Sequence, residues 1–331
     1  MKLRRYYPLI PIYLLYLTLF LIGFHVRGLW QPMALLAFYA ALGQAFNIFL
    51  GMTGYVDFGY VAFLGLGSYG MALAVSSLYR VEWLGGGIIV IGLLLGLAMA
   101  ALLSTAVGGI ALRLRGAYFA IATIGVNEGF KYLVTGARLW GGSEGIIISG
   151  DLREAFGVEV ANSLATFWAD TLLFIIAALA ALVTLHYMQS KIGYALTALR
   201  EDEEAARVMG VNTTKYKIIA FITSAAFAGL IGASGWALKM TYVFPEDVFE
   251  ITYTVEAIVI VLLGGAGTLL GPLVGGIIYG VLKYWLAVLA PGLQLLILAP
   301  IILLIIVALP QGIIGVLKER VRGTALERVI V

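Results

Sequence analysis

Asp57, Glu128, Lys131, Asp170, Glu256 and Lys283 are ionisable side chains set in apolar stretches of the sequence. An ionisable group at membrane depth is costly, and it is read first as part of a proton relay, an ion site or a substrate path. Several of the six fall near the end of an apolar stretch, where a long side chain reaches polar headgroups. Asp57 does not. It lies in GMTGYVDFG (51–59), a glycine-interrupted run in which a carboxylate has backbone amides within reach. Two readings stand for it: a substrate-path residue, or a carboxylate that caps re-entrant backbone or faces the cytoplasm. A proton- or sodium-driven carrier usually shows more buried charge than these six residues supply.

Other chemistries lack parts. The phosphate-cradling loop G-x-x-x-x-G-K-[ST] is absent. GGAGTLLG (264–271) has the glycines but no lysine, so the chain is not expected to hydrolyse ATP. With no cysteine, thiolate metal sites, disulfides and a cysteine nucleophile are excluded. The two histidines, His25 and His186, lie far apart, and H-E-x-x-H is missing. No catalytic residue and no metal site is assigned, and the chain reads as a non-enzyme.

The elements that must position these groups are membrane helices. Of 331 residues, 62% are hydrophobic and 12% charged, against about 45–50% and roughly 25% in soluble domains; mean hydropathy is +1.02. Continuous runs such as IILLIIVAL (301–309) differ from the alternation of barrel strands. Ten apolar segments are expected at roughly 9–26, 35–50, 60–78, 86–112, 116–134, 164–187, 218–238, 251–263, 273–289 and 294–309. The N-terminal run is too long for a signal core and lacks a small-residue cleavage site, so it reads as an uncleaved first helix. With the N-terminus in the cytoplasm and one crossing per segment, 14 of the 21 Lys and Arg lie inside, including Lys2, Arg4, Arg5, Arg322 and Arg328. That bias fits the positive-inside rule. Both termini and residues 188–217 then face the cytoplasm, and loop 135–163 lies outside. The whole chain, 1–331, reads as one transmembrane domain.

Two segments are interrupted. The second runs into Gly51, Gly54 and Gly59, and the eighth into Gly264, Gly265, Gly267 and Gly271. Broken helices persist at membrane depth only where protein or a water-filled cavity covers the freed backbone, and in transporters they mark the substrate path. The alternative is close helix packing, which small residues permit; the chain has 41 glycines. Asn47, Asp57, Ser68 and Glu128 are polar, lie in or beside interrupted segments, and are the candidate pathway residues. GLGSYG (65–70) and GGIIYG (275–280) share Gly-x-x-x-Tyr-Gly, a short internal match.

LREDEEAARVMGVN (199–212) is the most charged stretch. Good helix formers over 195–209 predict a short helix with i,i+4 pairs Arg200–Glu204 and Glu203–Arg207. Gly210 is a natural residue just past its end, and Asn212 or Thr213 caps the next helix. Leu196, Leu199, Ala206 and Met209 fall near one face. An acid-rich helix is repelled by anionic lipid, whereas surface helices carry Lys and Arg. A protein partner and a solvated loop helix remain the two readings.

EAARVMG (204–210) fits Glu-Ala-Ala-x-x-x-Gly, which resembles the cytoplasmic signature of permease subunits of ATP-binding-cassette importers. Its context, 191–233, resembles the LivM type of branched-chain amino acid permease, as do GAYFAIATIGVNE (116–128), WGGSEGI (140–146) and VLLGGAGTLLGPLVGG (261–276). These blocks follow the family's order, and the likeness covers nearly the whole chain. Two departures stand out. Asp57 and Tyr60 occupy the first break where the family carries Ser and His, and the Leu-Pro that follows the signature in many other importers is absent.

The resemblance implies an all-α, polytopic permease of the ten-helix, type II-like importer fold. It implies a second permease subunit, LivH-like or a second copy of this chain, two cytoplasmic ATPases that use ATP and Mg, and an extracytoplasmic binding protein. The chain itself carries no cofactor, and no nucleic-acid partner is implied. Arg200, Glu201, Asp202, Glu203, Glu204, Ala205, Ala206 and Gly210 would form the coupling helix that docks in an ATPase. Relatives of this type handle branched-chain amino acids, other amino acids, amides or urea.

Overall fold

The computed structural model describes residues 6–321. Lys2, Arg4, Arg5, Arg322 and Arg328 lie outside the described residues. The helices are α1 (Leu9–His25), α2 (Trp30–Asn47), α3 (Leu50–Thr53), α4 (Tyr60–Leu78), α5 (Gly87–Ala111), α6 (Ala117–Gly136), α7 (Ser149–Phe156), α8 (Val158–Ser163), α9 (Ala169–Met188), α10 (Lys191–Glu201), α11 (Glu203–Val208), α12 (Thr213–Ile231), α13 (Pro245–Val248), α14 (Thr252–Gly264), α15 (Gly271–Leu289), α16 (Gln294–Ala308) and α17 (Gly312–Val321). Each of the ten expected apolar segments is helical. Six helical stretches are long and apolar enough to cross a membrane: Trp30–Thr53, Tyr60–Leu78, Gly87–Ala111, Val158–Met188, Thr213–Leu238 and Gly271–Leu289. Helices dominate because lipid offers no partner for a free N–H or C=O. The chain is a multi-pass, helical membrane protein.

The chain divides into two compact units. The first runs to Gly54 and takes up Ala177–Thr213 and the chain from Glu256 onward; the second comprises Tyr55–Ile176 and Thr214–Val255. The boundaries fall within α9, within α14, at the start of α12 and inside the first glycine break.

In the first unit α15 packs on α2 along small residues. A Cβ added at Gly276 would lie 2.6 Å from Ala40 Cα, and one at Gly280 would lie 2.6 Å from Leu36 Cδ2. Pro272 sits in the first turn of α15, where its missing N–H costs no hydrogen bond. In the second unit α4 packs on α5 with equal closeness: a Cβ at Gly70 would lie 2.5 Å from Gly96 Cα. In lipid such seams rest on van der Waals contact and interhelical hydrogen bonds rather than on the hydrophobic effect. The two Gly-x-x-x-Tyr-Gly matches are these seams, one per unit, and each buries its tyrosine, Tyr69 and Tyr279.

Loop 135–163 is folded within the second unit. Ile146–Ile147 pairs antiparallel with Tyr242–Val243, a two-residue ribbon that adds the only strands among the described residues. Trp140, at φ 49°, lies with its ring 5.4 Å from that of Tyr69, and Tyr69 stacks on Phe249 at 6.1 Å.

Lys131 and Lys283, for which headgroup contact was one expectation, have intramolecular partners, as does Lys239. Lys239 Nζ meets Asp170 Oδ1 and Lys131 Nζ meets Glu246 Oε2, both at 2.5 Å in the second unit. Lys283 pairs with Glu256 in the first. Asp170 and Glu256 are buried, and a buried carboxylate in a low dielectric holds a nearby ammonium more strongly than water does; Glu246 is exposed, so its pair with Lys131 is a surface one.

Candidate functional site

The glycine-interrupted segments converge in the first unit. Asn47, on the last turn of α2, uses both ends of its amide on the second break: Oδ1 accepts from Gly267 N at 2.9 Å, and Nδ2 donates to Thr268 O at 3.0 Å. Gln44, one turn earlier, donates to Leu269 O at 3.1 Å. Both side chains are fully buried. They supply the partners that freed backbone at this depth requires. The break also closes on itself, with Thr268 Oγ1 donating to Gly265 O and accepting from Gly271 N. Gly267 adopts φ +75°, a conformation an L side chain rarely adopts.

Arg200, in the last turn of α10, reaches the same place. Its Nη1 donates to Gly51 O at 2.6 Å and to Ala266 O at 3.3 Å. Gly54 closes α3 in the left-handed conformation with its Cα facing the Arg200 stem. Sequence reasoning found the glycines, Asn47 and Arg200 separately; it missed Gln44 and Thr268, and it gave no sign that these residues meet.

The second unit holds the rest of the first break. Asp57 is buried, and its Oδ1 accepts from Gly59 N at 2.9 Å, closing the turn into α4. Phe58 N donates to Thr123 Oγ1 and Val61 N to Thr254 Oγ1. Asp57 therefore has the geometry of a backbone cap. Ser68 is buried, and its single hydroxyl proton is shared between Leu64 O and Gly232 O. Glu128 is half-buried and accepts from Asn127, whose amide also donates to Phe249 O. Lys217 was not singled out from sequence. It is buried, its ammonium lies 4.6 Å from the centre of the Tyr55 ring, and it donates to Tyr55 OH and Leu112 O. A cation over an aromatic face is favourable where water is scarce.

The charged stretch differs from the single helix expected over 195–209. It breaks at Asp202, which is extended (φ −155°, ψ 108°) and caps α11 by accepting from Glu204 N and Ala205 N at 2.9 and 3.0 Å. A short carboxylate competes with helical backbone and prefers the cap. Restarting the helix changes its phase. Leu196, Leu199 and Ala206 are buried, but Met209 is 83% exposed, beside Val208 at 86%. The Glu203–Arg207 pair forms at 3.1 Å. Arg200, expected beside Glu204, is instead committed to Gly51 and Ala266. Gly210, at φ +86°, ends α11: Val211 N donates to Ala206 O and Gly210 N to Arg207 O, the paired closure that favours glycine here. Asp202→Ala is expected to cost about 1 kcal/mol of local helix stability. Hydrogen exchange at Glu204 and Ala205 would speed up several-fold, while Asp202→Asn would keep the protection.

Curated relatives resemble this chain in sequence. The chain is 31% identical over 254 residues to the high-affinity branched-chain amino acid transport system permease protein LivM of Salmonella typhimurium, a match covering 70% of this chain and 57% of that protein. It is 28% identical over 320 residues to LivM of Escherichia coli, covering 89% and 72% respectively. LivH of Salmonella typhimurium is 23% identical over 291 residues, covering 84% and 91%. The chain thus spans a little over half the length of the Salmonella LivM that it matches. No solved structure matches it. Residues 31–308 match the family described as branched-chain amino acid transport system, permease component. The chain therefore belongs to the family of permease components of branched-chain amino acid transport systems.

Proposed function

We propose that this chain is the membrane permease subunit of an ATP-driven, binding-protein-dependent importer of branched-chain amino acids. It sits in the cell membrane with both termini and residues 188–217 in the cytoplasm. Two ATPases bind beneath it and use ATP and Mg. A second permease, LivH-like or another copy of this chain, completes the membrane part, and an external binding protein delivers the substrate.

The observation that carries this reading is α11. Six residues long and capped at both ends, it carries exposed Glu201, Asp202 and Glu204 at its start and almost fully exposed Val208 and Met209, beside Arg207, at its end. An acid-rich segment that ends on exposed apolar side chains suits a protein cleft better than anionic lipid. A transporter whose sequence has no phosphate loop needs such a handle for another subunit's ATPase. Glu203, Ala205, Ala206 and Gly210 shape that handle; Asn47, Ser68 and Glu128 remain the proposed polar positions of the path, while Asp57 caps its own backbone.

The test is ATPase activity of the purified chain and of the assembled complex. Alone, the chain turns over no ATP; in the complex, the binding protein loaded with leucine stimulates hydrolysis. ATP turnover by the chain alone would overturn the proposal.

A further inference from the structure

We infer that Arg200 is a positioning residue that ties α10 to both glycine breaks, so that displacement of the charged stretch moves the two broken helices together. The inference rests on the permease reading above and adds what Arg200 does within it: although Arg200 is exposed, its guanidinium is turned onto the carbonyls of both breaks, and the ATPase contact is assigned to α11.

Two carbonyls receive the guanidinium, one from the short helix α3 and one from the turn that follows α14. Gly51 O is in the last turn before Gly54, and Ala266 O lies just beyond α14. Gly51 O, in the last turn of its helix, has no partner within that helix, and Ala266 O is freed by the turn. A cation shared between the two is held by charge as well as by hydrogen bonds. Gly267 makes room for it: a Cβ there would fall on Arg200 Nη1.

The breaks are already coupled without Arg200, because Asn47 and Gln44 hold residues 267–269 to the end of α2. A pull on either reaches both. The other end of the tie is firm. Gly193, Ala195, Leu196 and Leu199 are buried on α10, and α10 ends where Asp202 starts α11. Movement of the exposed α11 tip therefore passes through a single extended residue to Arg200. Lysine would not reproduce the contact, since an ammonium lacks the planar guanidinium.

The test uses the assembled complex in proteoliposomes, with labelled leucine imported per ATP hydrolysed as the readout. For Arg200→Ala, ATPase subunits stay bound and ATP is still hydrolysed, but leucine moved per ATP falls by roughly tenfold, the scale expected for losing charge-assisted hydrogen bonds. Arg200→Lys keeps the charge and the helix propensity, and gives an intermediate ratio. Loss of the ATPase subunits from an otherwise folded Arg200→Lys complex would overturn the inference, making Arg200 an ATPase contact. So would a wild-type ratio in Arg200→Ala. If the wild-type complex imports no leucine, the permease reading fails and takes this inference with it; wild-type import with an unchanged variant ratio removes the inference alone.

Discussion

Gly264→Val abolishes accumulation of folded protein, whereas Gly125→Ala leaves it unchanged or slightly more stable. Gly264 is the last residue of α14, and a Cβ there would fall on the carbonyl of Gly271. The obstacle is backbone. It cannot shift by rotating a side chain, because Gly271 is fixed by its N–H bond to Thr268 Oγ1 and Gly265 by its N–H bond to Val261 O. Overpacking typically costs 1–3 kcal/mol and occasionally more. A clash between two backbones belongs at or above the top of that range, against total stabilities of about 5–15 kcal/mol. At Gly125, in α6, an added Cβ meets nothing within 4 Å, and alanine improves helix propensity by up to about 1 kcal/mol. Yield of monodisperse protein in detergent, followed by thermal unfolding, reads the contrast. Equal yields would show that the second break is a loose hinge and not a packed turn.

Lys283→Met lowers stability by about 3–5 kcal/mol, the usual cost of leaving one member of a buried ion pair alone. The Glu256 side chain is only 4% exposed, and Lys283 also lies 5.2 Å from the Tyr39 ring, which in turn packs on Tyr279. Without the ammonium, Glu256 must either stay charged in an apolar surround or take up a proton. The double change Glu256→Leu with Lys283→Met removes both charges and is expected to restore most of the stability, since apolar replacements of buried pairs are often neutral or better. Thermal unfolding in nanodiscs distinguishes the cases. If the single and double variants melt alike, the pair is not the source of the effect.

The helical plan was legible because membrane crossing requires about twenty apolar residues in a row, and the ten runs stand out in the sequence. The two breaks were legible because glycine clusters interrupt those runs. The assembly of the site was not. Asn47 binds Gly267 from 220 positions away and Arg200 binds Gly51 from 149; no local spacing encodes such meetings. The same limit hid the lysine partners, Glu256, Asp170 and Glu246. The split of the charged helix had a local cause, but Asp202 had to be weighed as a cap against neighbours with strong helix propensity. That choice also reversed the expected orientation of Met209 and redirected Arg200 away from Glu204. Asp57 shows how one residue type carries two readings, since a carboxylate in a glycine break serves a substrate or its own backbone, and here it accepts the Gly59 amide.

Uptake of labelled leucine into proteoliposomes tests the central claim most directly: that this chain conducts a branched-chain amino acid only when partner ATPases drive it. The account predicts uptake that requires this chain, its partner subunits, the loaded binding protein and ATP together. Uptake by this chain alone, driven by an ion gradient, would contradict it.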